Sequence, residues 1–178
     1  MRIIIRPFKK GDGQGVIRCF NSGMVKGINK YTGADILSKL SDGKLLDKLY
    51  SAGRRNSFGF VALNSKDHKV VGACFFSARL DGRTRHRGEV SCGVHPDYLM
   101  RGIGTRLLKK TIDKASKNGF IRIEAEIAEG NKASIKLAER CSFKKEGIKR
   151  KGLLLDNETY MDVYVYGRLV RGHGSKLS

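Results

Sequence analysis

The stretch VHPDYLMRGIGTRLLKK, Val94 to Lys110, decides how the rest of the chain is interpreted. A strand pattern, Glu89 to Val94, leads into it, and a helix pattern leads out of it from Thr105 onward. The loop between them ends in Arg101-Gly102-Ile103-Gly104, where glycine lets the backbone turn tightly and leaves room beside the main chain. The helix that follows adds free N–H groups and the positive end of its dipole. The stretch therefore predicts an anion site suited to phosphate.

The spacing of the glycines excludes two common phosphate-binding motifs. No window of the chain matches the P-loop pattern G-x-x-x-x-G-K-[ST]. The dinucleotide fingerprint G-x-G-x-x-G also fails. In a pattern that begins at Gly102, Leu107 stands at the position of the third glycine, and the segment Gly11 to Gly15 lacks the third glycine too. What remains is V-x-P followed by R-G-x-G at a helix start, which resembles the acetyl-CoA signature of the GNAT superfamily of N-acyltransferases.

A second segment, GNKASIKLAERCSFKKEG from Gly130 to Gly147, supports this resemblance. It is similar to the family's pattern N-x-x-A-x-x-L-Y-x-x-x-G-F-x-x-x-G. The positions that match are Asn131, Leu137, Phe143 and Gly147, and the positions that differ are Ser134, Ala138 and Ser142. Taken alone, the segment is equally typical of an ordinary amphipathic helix capped by an asparagine.

The resemblance implies an acetyl-CoA site built around the glycine loop. In the family, the loop amides hold the pyrophosphate of coenzyme A, and the pantetheine arm lies where the fourth and fifth strands splay apart. An unpaired strand edge offers N–H and C=O groups that a pantetheine amide can use. The residues that the resemblance assigns to cofactor binding are Val94, Leu99, Met100, Arg101, Gly102, Ile103, Gly104, Thr105, Asn131 and Ser134. The alternative is a glycine turn with no ligand.

Two departures from the family pattern bear on the chemistry. Ala138 occupies the place of a tyrosine that protonates the departing thiolate of coenzyme A in many family members, so that role is not carried over. Leu99 occupies the first place of the pyrophosphate loop, which is usually Gln or Arg. Loop contacts there come mainly from the backbone, and Arg101 is available as a charge-assisted partner for phosphate.

A carboxylate that accepts the proton of an attacking amine is the main catalytic group that the sequence has to supply. Glu89 on the fourth strand is the first candidate, because it precedes the segment expected to bind pantetheine. Glu124 and Glu126 on the fifth strand are further candidates. The alternative for Glu89 is a charged side chain at a strand end that faces solvent.

Tyrosines of the last strand are the candidates for the general acid. Tyr160, Tyr164 and Tyr166 alternate with other residues and are therefore expected on one face, and Tyr160 is the residue that we assign. Simple packing explains the same spacing equally well. Cys92 raises the idea of a covalent acyl-enzyme, but it alternates with two valines, which favours a thiol in the core.

The predicted elements follow the order β-α-α-β-β-β-α-β-α-β-β, which favours an α/β fold with a mixed sheet. The predicted strands cover residues 2–6, 58–63, 69–79, 89–94, 120–127, 147–155 and 159–168, and the predicted helices begin near residues 16, 35, 105 and 132. The resemblance implies the GNAT fold, with a mixed central sheet of about seven strands, splayed fourth and fifth strands, and about four flanking helices. We expect a single domain over residues 1–171 and a disordered polar tail at 172–178.

The chain is strongly basic, with 36 Lys and Arg residues against 17 Asp and Glu residues and a formal net charge of +19. A field of this sign attracts acidic substrates, nucleic acid or anionic lipid, and it eases the approach of coenzyme A. The basic residues cluster at 54–55, 79–87 and 144–151, without the interleaved aromatics of an RNA-binding signature. Two interpretations stay open: a solvated basic surface, or binding of an acidic acceptor or a phosphate-rich assembly such as the ribosome.

The composition indicates a globular protein of the cytoplasm. Hydrophobic residues make up 40% of the 178 residues, and no window holds about 18 consecutive apolar residues, so we expect no membrane span. The 4 cysteines are widely spread without a C-x-x-C pair, and the 4 histidines form no ligand cluster, so no metal site is expected. Reduced thiols fit a cytoplasmic location.

Two functional classes remain open from the sequence. The first is an N-acetyltransferase that transfers an acetyl group from acetyl-CoA to a primary amine of an unidentified acceptor by direct attack. The second is a catalytically weak GNAT-fold module that binds acyl-CoA or associates with nucleic acid. The acceptor is either a small molecule or a protein amine, and the protein is either a monomer or a homodimer.

Overall fold

The structure is a computed structural model that describes residues 2–25, 43–51, 57–79, 81–155 and 158–171, with the backbone alone for residues 23–25. Several sequence predictions lie outside these residues: the disordered tail at 172–178, the turn at Asp156 and Asn157, the basic pair at 54–55, and the first part of the helix predicted from Asp35.

Seven strands form one sheet in the order β1-β2-β3-β4-β5-β7-β6. The strands are β1 Ile3–Pro7, β2 Phe58–Asn64, β3 Val70–Ala78, β4 Arg87–Val94, β5 Arg122–Ala128, β6 Lys144–Leu154 and β7 Tyr160–Leu169. The helices of the described residues are α1 Gly13–Val25, α2 Lys44–Tyr50, α3 Ile103–Lys117 and α4 Lys132–Arg140, and a 3-10 turn covers Pro96–Tyr98. Only the β4–β5 pair is parallel among these strand pairs, so the predicted α/β fold with a mixed sheet is confirmed.

The parallel pair β4–β5 is short. Its paired positions are Arg87 with Arg122, Gly88 with Ile123 and Glu89 with Glu124. Beyond Glu89, β5 stays paired with β7, and the edge of β4 that faces β5 has no strand partner in the described part of the chain. The predicted splay of the fourth and fifth strands is therefore confirmed, and it begins directly after Glu89.

Hydrophobic layers cover both faces of the sheet. Phe75 and Phe76 are neighbours on β3 and therefore point to opposite faces. Phe76 packs in a cluster with Leu107 of α3, whereas Phe75 packs in a second cluster with Phe20 of α1 and with α2. The sheet is thus enclosed between α3 on one face and α1 with α2 on the other.

The same alternation places the β4 side chains. A Cβ added at Gly88 would lie 2.2 Å from the Phe76 ring on the α3 face, and one added at Gly93 would lie 2.5 Å from the Phe20 ring on the α1 face. Glu89 is four positions before Gly93 on the same strand, so its side chain projects on the same face, that of α1 and α2. Cys92 is four positions after Gly88, so its side chain projects on the opposite face, toward α3.

Helix α3, which precedes β5, and helix α4, which precedes β6, end in the same way. After α3, Gly119 takes a φ of +89°, and the N–H of Phe120 donates to the carbonyl of Ala115 at 3.1 Å. After α4, Ser142 takes a φ of +61°, and the N–H of Phe143 donates to Ala138 at 3.0 Å. These are the 6→1 bonds of a Schellman cap. Because this cap uses the Phe120 N–H, β5 begins two residues later than predicted.

Helix α2 is anchored against the start of α1. The Asp47 carboxylate accepts hydrogen bonds from the N–H groups of Gly11 at 2.9 Å and Gly13 at 3.0 Å. A Cβ at Gly13 would lie 2.1 Å from the carbonyl oxygen of Gly43, so only glycine permits this approach. Gly43, which the sequence suggests as a kink or break, is the N-cap residue of α2.

Candidate active site

A cradle of backbone N–H groups forms where the loop after β4 enters α3. Met100 and Gly102 both have left-handed backbones, with φ of 58° and 71°, and they flank Arg101. Such turns direct successive N–H groups toward one point, as in anion-binding nests. Gly102 is the N-cap of α3 and has no side-chain cap, so the first N–H groups of a 15-residue helix are available at the same place. The Met100 side chain is 98% exposed, so the strained conformation serves the backbone rather than packing.

A cavity of about 230 Å³ opens directly onto this cradle. Its lining includes Val94, Leu99, Met100, Gly102, Ile103, Gly104, Thr105, Asn131 and Ser134. The structure thus brings together all of the predicted cofactor-binding residues except Arg101, whose guanidinium carbon lies 5.5 Å from the centre of the Tyr98 ring. Asn131 caps α4 by accepting a hydrogen bond from the N–H of Ser134 at 3.1 Å, which fixes this wall of the cavity.

Sequence reasoning missed two cations in this cavity. Lys136 and Arg140 of α4 both line it, together with Tyr98, Ala133 and Leu137. Their spacing of i and i+4 puts them on one helix face, one turn apart. That spacing, counted from the Asn131 cap, is the signal that would have found them. Both charges lie on the wall opposite the cradle, where an anion held by the loop would meet them.

A second cavity of about 110 Å³, called the inner cavity below, lies in the opening between β4 and β5. It is lined by Val90, Ser91, Cys92, Ala125, Glu126 and Ile127 from the two strands, and by residues of α3, α4 and the start of β6. Cys92, Asn131, Ser134 and Leu137 line both cavities, so the two adjoin each other. This pair of adjoining cavities, called the path below, extends from the cradle to the point where the strands separate.

Cys92 lies in this path, is half-buried and packs against the core cluster on the α3 face, where alternation predicts a core thiol. Its Sγ lies 4.0 Å from the carbonyl oxygen of Gly104. The neighbouring Cys74 thiol, its cross-strand partner, and burial raise the pKa of Cys92 well above its usual value. A thiol in this state is a poor nucleophile.

Three carboxylates are the candidates for a general base. They lie on the face of α1 and α2, near the point where β4 and β5 separate, which is called the fork below. Glu124 accepts hydrogen bonds from Arg122 at 2.7 Å and from Arg87 at 3.0 Å. Burial alone would raise the pKa of Glu124, but these two arginines outweigh it and hold the pKa below its usual value. Glu126 lines the inner cavity and forms an ion pair with Lys149. Glu124 is therefore a weakened base.

Glu89 differs from the other two in its charge environment. Burial and the nearby charge of Glu126 raise the pKa of Glu89 above its usual value, and Arg79, 3.6 Å away, opposes the shift only in part. Its cross-strand partner is Ser77, whose hydroxyl shares a 2.8 Å hydrogen bond with Tyr50 of α2. Glu89 stands at the last paired position before the strands separate, although it does not line the inner cavity itself.

The candidate tyrosines of β7 lie outside both cavities. Tyr166 is buried, and its hydroxyl donates to Glu139 of α4 at 3.3 Å. The Lys145 Nζ lies 3.2 Å from the centre of the Tyr164 ring. Tyr160 is 60% exposed at the start of β7, where its cross-strand partner is Leu154. The structure therefore does not bring Tyr160 to the fork of the strands, and its role as the general acid stays a prediction.

Two further features concern metals and membranes. Within the described ranges, His, Cys, Asp and Glu side chains form no group of three or more able to hold a metal ion. No helix in the described part of the chain is long and apolar enough to cross a membrane.

Comparison with known proteins gives a family from the sequence and a matching fold from the solved structures. Residues 33–143 match the family described as Acetyltransferase (GNAT) family. The chain is 24% identical over 170 residues to the uncharacterized N-acetyltransferase YoaA of Bacillus subtilis (strain 168), a match that covers 93% of this chain and 92% of that protein. It is 35% identical over 91 residues to the L-amino acid N-acyltransferase MnaT of Escherichia coli (strain K12), covering 50% of this chain and 53% of that protein. The structure of yncA from Salmonella typhimurium with its cofactor acetyl-CoA matches with a TM-score of 0.81 at 22% identity, covering 97% of this chain and 96% of that chain.

Proposed function

The chain belongs to the acetyltransferase (GNAT) family and is an acetyl-CoA-dependent acetyltransferase, and we propose that it acetylates a primary amine by direct attack of that amine on the thioester. The observation that carries the proposal is the path of two adjoining cavities from the N–H cradle at α3 to the fork of β4 and β5. One end of this path suits a phosphorylated carrier, and the other end lies beside Glu89 and Glu126.

The residues along the path fit the chemistry of coenzyme A. The cradle from Leu99 to Thr105 supplies backbone donors for the pyrophosphate, and Lys136 and Arg140 supply positive charge for the remaining phosphate. The inner cavity is small, its surface is polar and apolar in similar measure, and it runs along the unpaired edge of β4. That edge offers backbone groups to the amides of the pantetheine arm.

In the proposed reaction, Glu89 takes the proton of the acceptor amine, directly or through water. The amine nitrogen then attacks the thioester carbonyl, a C–N bond forms, and the C–S bond breaks as the thiolate leaves with the bonding electrons. Glu89 suits this task better than Glu124, because its raised pKa makes it the stronger base while the arginine pair keeps Glu124 a weak one. Glu126 supports Glu89 through its charge.

The thiolate of coenzyme A, the leaving group, needs little protonation by a general acid. A thiol has an ordinary pKa of about 8.5, so a thiolate departs at neutral pH with little help from a proton donor. We keep Tyr160 as the proposed acid, although its exposed position at the start of β7 favours a minor contribution. Ala138, which stands where many family members have the tyrosine, has no group to donate.

For the acceptor, we propose an amine that also carries acidic groups. The relative MnaT is named an L-amino acid N-acyltransferase, and an amino acid combines an amine with a carboxylate. The net charge of +19 and the exposed basic residues of the edge strand β6 favour such an acceptor over a polyamine. A protein amine within a phosphate-rich assembly such as the ribosome satisfies the same charge argument. A cytoplasmic location fits the free cysteines, and a monomer and a homodimer both remain open.

Release of free thiol from acetyl-CoA with a panel of acidic, neutral and basic amines tests the proposed function. We expect turnover with amines that carry carboxylates or phosphates, and a specificity constant that falls as salt rises, because charge steering is screened within about 10 Å at 0.1 M salt. Binding of acetyl-CoA without thiol release for any amine would instead support the catalytically weak binding module. A preference for spermidine-like amines at low salt would overturn the acidic acceptor.

The acidic limb of the pH–rate profile should report the charges around Glu89. Its carboxylate must be ionised to act, so activity falls as pH drops through the raised pKa, at a higher pH than for an ordinary glutamate. Glu126→Gln removes a like charge and should move the limb to lower pH, whereas Arg79→Gln removes an opposite charge and should move it to higher pH. Profiles of kcat/KM for the two variants check this. Shifts in the same direction would contradict the assignment.

Cys92 should be dispensable for the chemistry despite its place in the path. Cys92→Ala removes the thiol next to Gly104, and because its raised pKa disfavours the thiolate, we expect kcat to stay within about threefold of the parent. Initial rates with both substrates varied should give the pattern of direct transfer. Ping-pong kinetics together with an acetylated Cys92 in mass spectra would contradict direct attack.

A further inference from the structure

A separate cavity of about 660 Å³ lies on the α1 face of the sheet, between α1, the loop before it and the turn that joins β2 to β3. The polar and charged residues of its lining are Arg6, Lys9, Asp12, Arg18, Ser22, Asp67, His68, Lys69 and His95. None of its lining residues lines the two cavities of the candidate active site. It is therefore a site of its own and not an extension of the path for acetyl-CoA.

The acidic residues of this cavity are already neutralised. Asp12 accepts from both terminal nitrogens of Arg6, at 2.6 and 2.8 Å, and Asp67 lies 3.3 Å from the Lys69 Nζ. Burial acts to raise the pKa of Asp12, but the hydrogen bonds and charges of Arg6 and Lys9 together outweigh it, so the pKa lies below its usual value. Four cations, Arg6, Lys9, Arg18 and Lys69, face two carboxylates, Asp12 and Asp67, so the lining keeps a net excess of two positive charges.

Two of the four cations are Lys9, in the loop before α1, and Arg18, on the α1 face that lines the cavity. Neither forms an ion pair with a carboxylate in the described ranges. Both side chains are exposed and can therefore adjust to a ligand. Two cations facing one concave space favour an anion with more than one charged oxygen, because an arginine fork binds phosphate through paired hydrogen bonds.

A histidine adds a further polar group to the same wall. The His95 Nδ1 accepts a hydrogen bond from the N–H of Asp97 at 3.2 Å, which leaves Nε2 to carry the proton in the neutral ring. Leu63, Val70 and Cys19 supply apolar surface to the cavity. Cations, one N–H donor and an apolar wall together match a small phosphorylated molecule, and the volume is in the range of small-molecule sites.

We propose that this cavity binds a small phosphorylated ligand, held chiefly by Lys9 and Arg18, at a site separate from the acetyl-CoA path. A nucleic-acid strand is the less favoured occupant, because the two cations line one concave space and do not form a stripe along the surface. The site stands next to the cofactor loop, since His95 directly follows β4 and starts the Pro96–Tyr98 turn that leads into that loop.

The test uses the protein saturated with coenzyme A, so that the cradle at α3 is filled, and titrates inorganic pyrophosphate by calorimetry at constant ionic strength. We expect one equivalent to bind. Arg18→Gln and Lys9→Gln should each weaken binding about tenfold or more, the usual cost of removing one charged hydrogen-bond partner. Lys110→Gln on the exposed side of α3 is the matched control and should leave the affinity within about twofold. Thermal unfolding of each variant checks that the fold is kept.

Three results would overturn the proposal. Binding of pyrophosphate only when coenzyme A is absent would assign the pyrophosphate to the cradle. Equal affinity in the Lys9→Gln/Arg18→Gln double variant and the parent would assign the binding to general surface charge. An RNA oligonucleotide that binds more tightly than pyrophosphate, and loses its affinity in the double variant, would assign the cavity to nucleic acid.

Discussion

Replacing Gly104 with valine should weaken acetyl-CoA binding about a hundredfold, which corresponds to about 2.7 kcal/mol, while the protein keeps its fold. Gly104 lines the cavity in the first turn of α3, beside the backbone N–H groups that form the cradle. A branched side chain there would occupy the space through which the pyrophosphate reaches the backbone. The loss is therefore expected in affinity and not in stability.

The fold should tolerate this valine because the surrounding atoms leave room for it. A Cβ at Gly104 would lie 3.4 Å from a Leu137 methyl and 3.6 Å from a Val94 methyl, which are ordinary van der Waals contacts. Gly102 is a poorer position for the test, since its φ of 71° strains any other residue whatever the ligand does. A valine at Gly102 would confuse lost binding with a distorted helix start.

Calorimetry with acetyl-CoA measures the effect, and thermal unfolding checks the fold. Gly147→Val in β6 is the matched control, because a Cβ at Gly147 meets no atom within 4 Å and the residue lines neither cavity of the path. The control should bind acetyl-CoA as the parent does. Unchanged affinity in a folded Gly104→Val protein would show that the proposed cradle is wrong.

The cradle could be predicted from the sequence because its signals are local. A strand pattern, a glycine pair and a helix pattern follow one another within the stretch 89–110, so no knowledge of distant contacts is needed. Asn131 is local in the same sense, since its side chain caps the helix that directly follows it. The overall sheet was predictable for a different reason, namely the resemblance of two motifs to one family.

The charge environment of the candidate carboxylates could not be predicted from the sequence, because it depends on contacts between strands. Alternation gives the face of Glu89, Glu124 and Glu126, but not the register that pairs Glu89 with Glu124. Nor does it reveal that two arginines bind Glu124 while burial and a neighbouring charge act on Glu89. For Tyr160, alternation predicted a face and left open the position along the hairpin, which turned out to be far from the fork.

Glu89→Gln should lower kcat at neutral pH by about a hundredfold or more, within the usual range for removing a general base, while acetyl-CoA affinity stays unchanged. The amide keeps the size of the side chain but cannot take a proton from the amine. Stability should change little, because the ion pair that Glu89 loses among the described residues is the half-exposed contact with Arg79 at 3.6 Å. The variant also loses the acidic limb of the pH–rate profile that Glu89 produces, which a merely structural role would leave in place.

Glu124→Gln and Glu126→Gln are the matched controls for this result. Glu124 is bound by Arg87 and Arg122, so its loss should affect stability more than kcat. Glu126 lines the inner cavity, so its variant separates a direct role from the charge effect on Glu89. If Glu89→Gln kept full activity at pH 7 and Glu126→Gln lost the same hundredfold, the base would be Glu126 on β5. The splay of the strands, which exposes Glu126 to the cavity, would then matter more to the chemistry than the last paired position at Glu89.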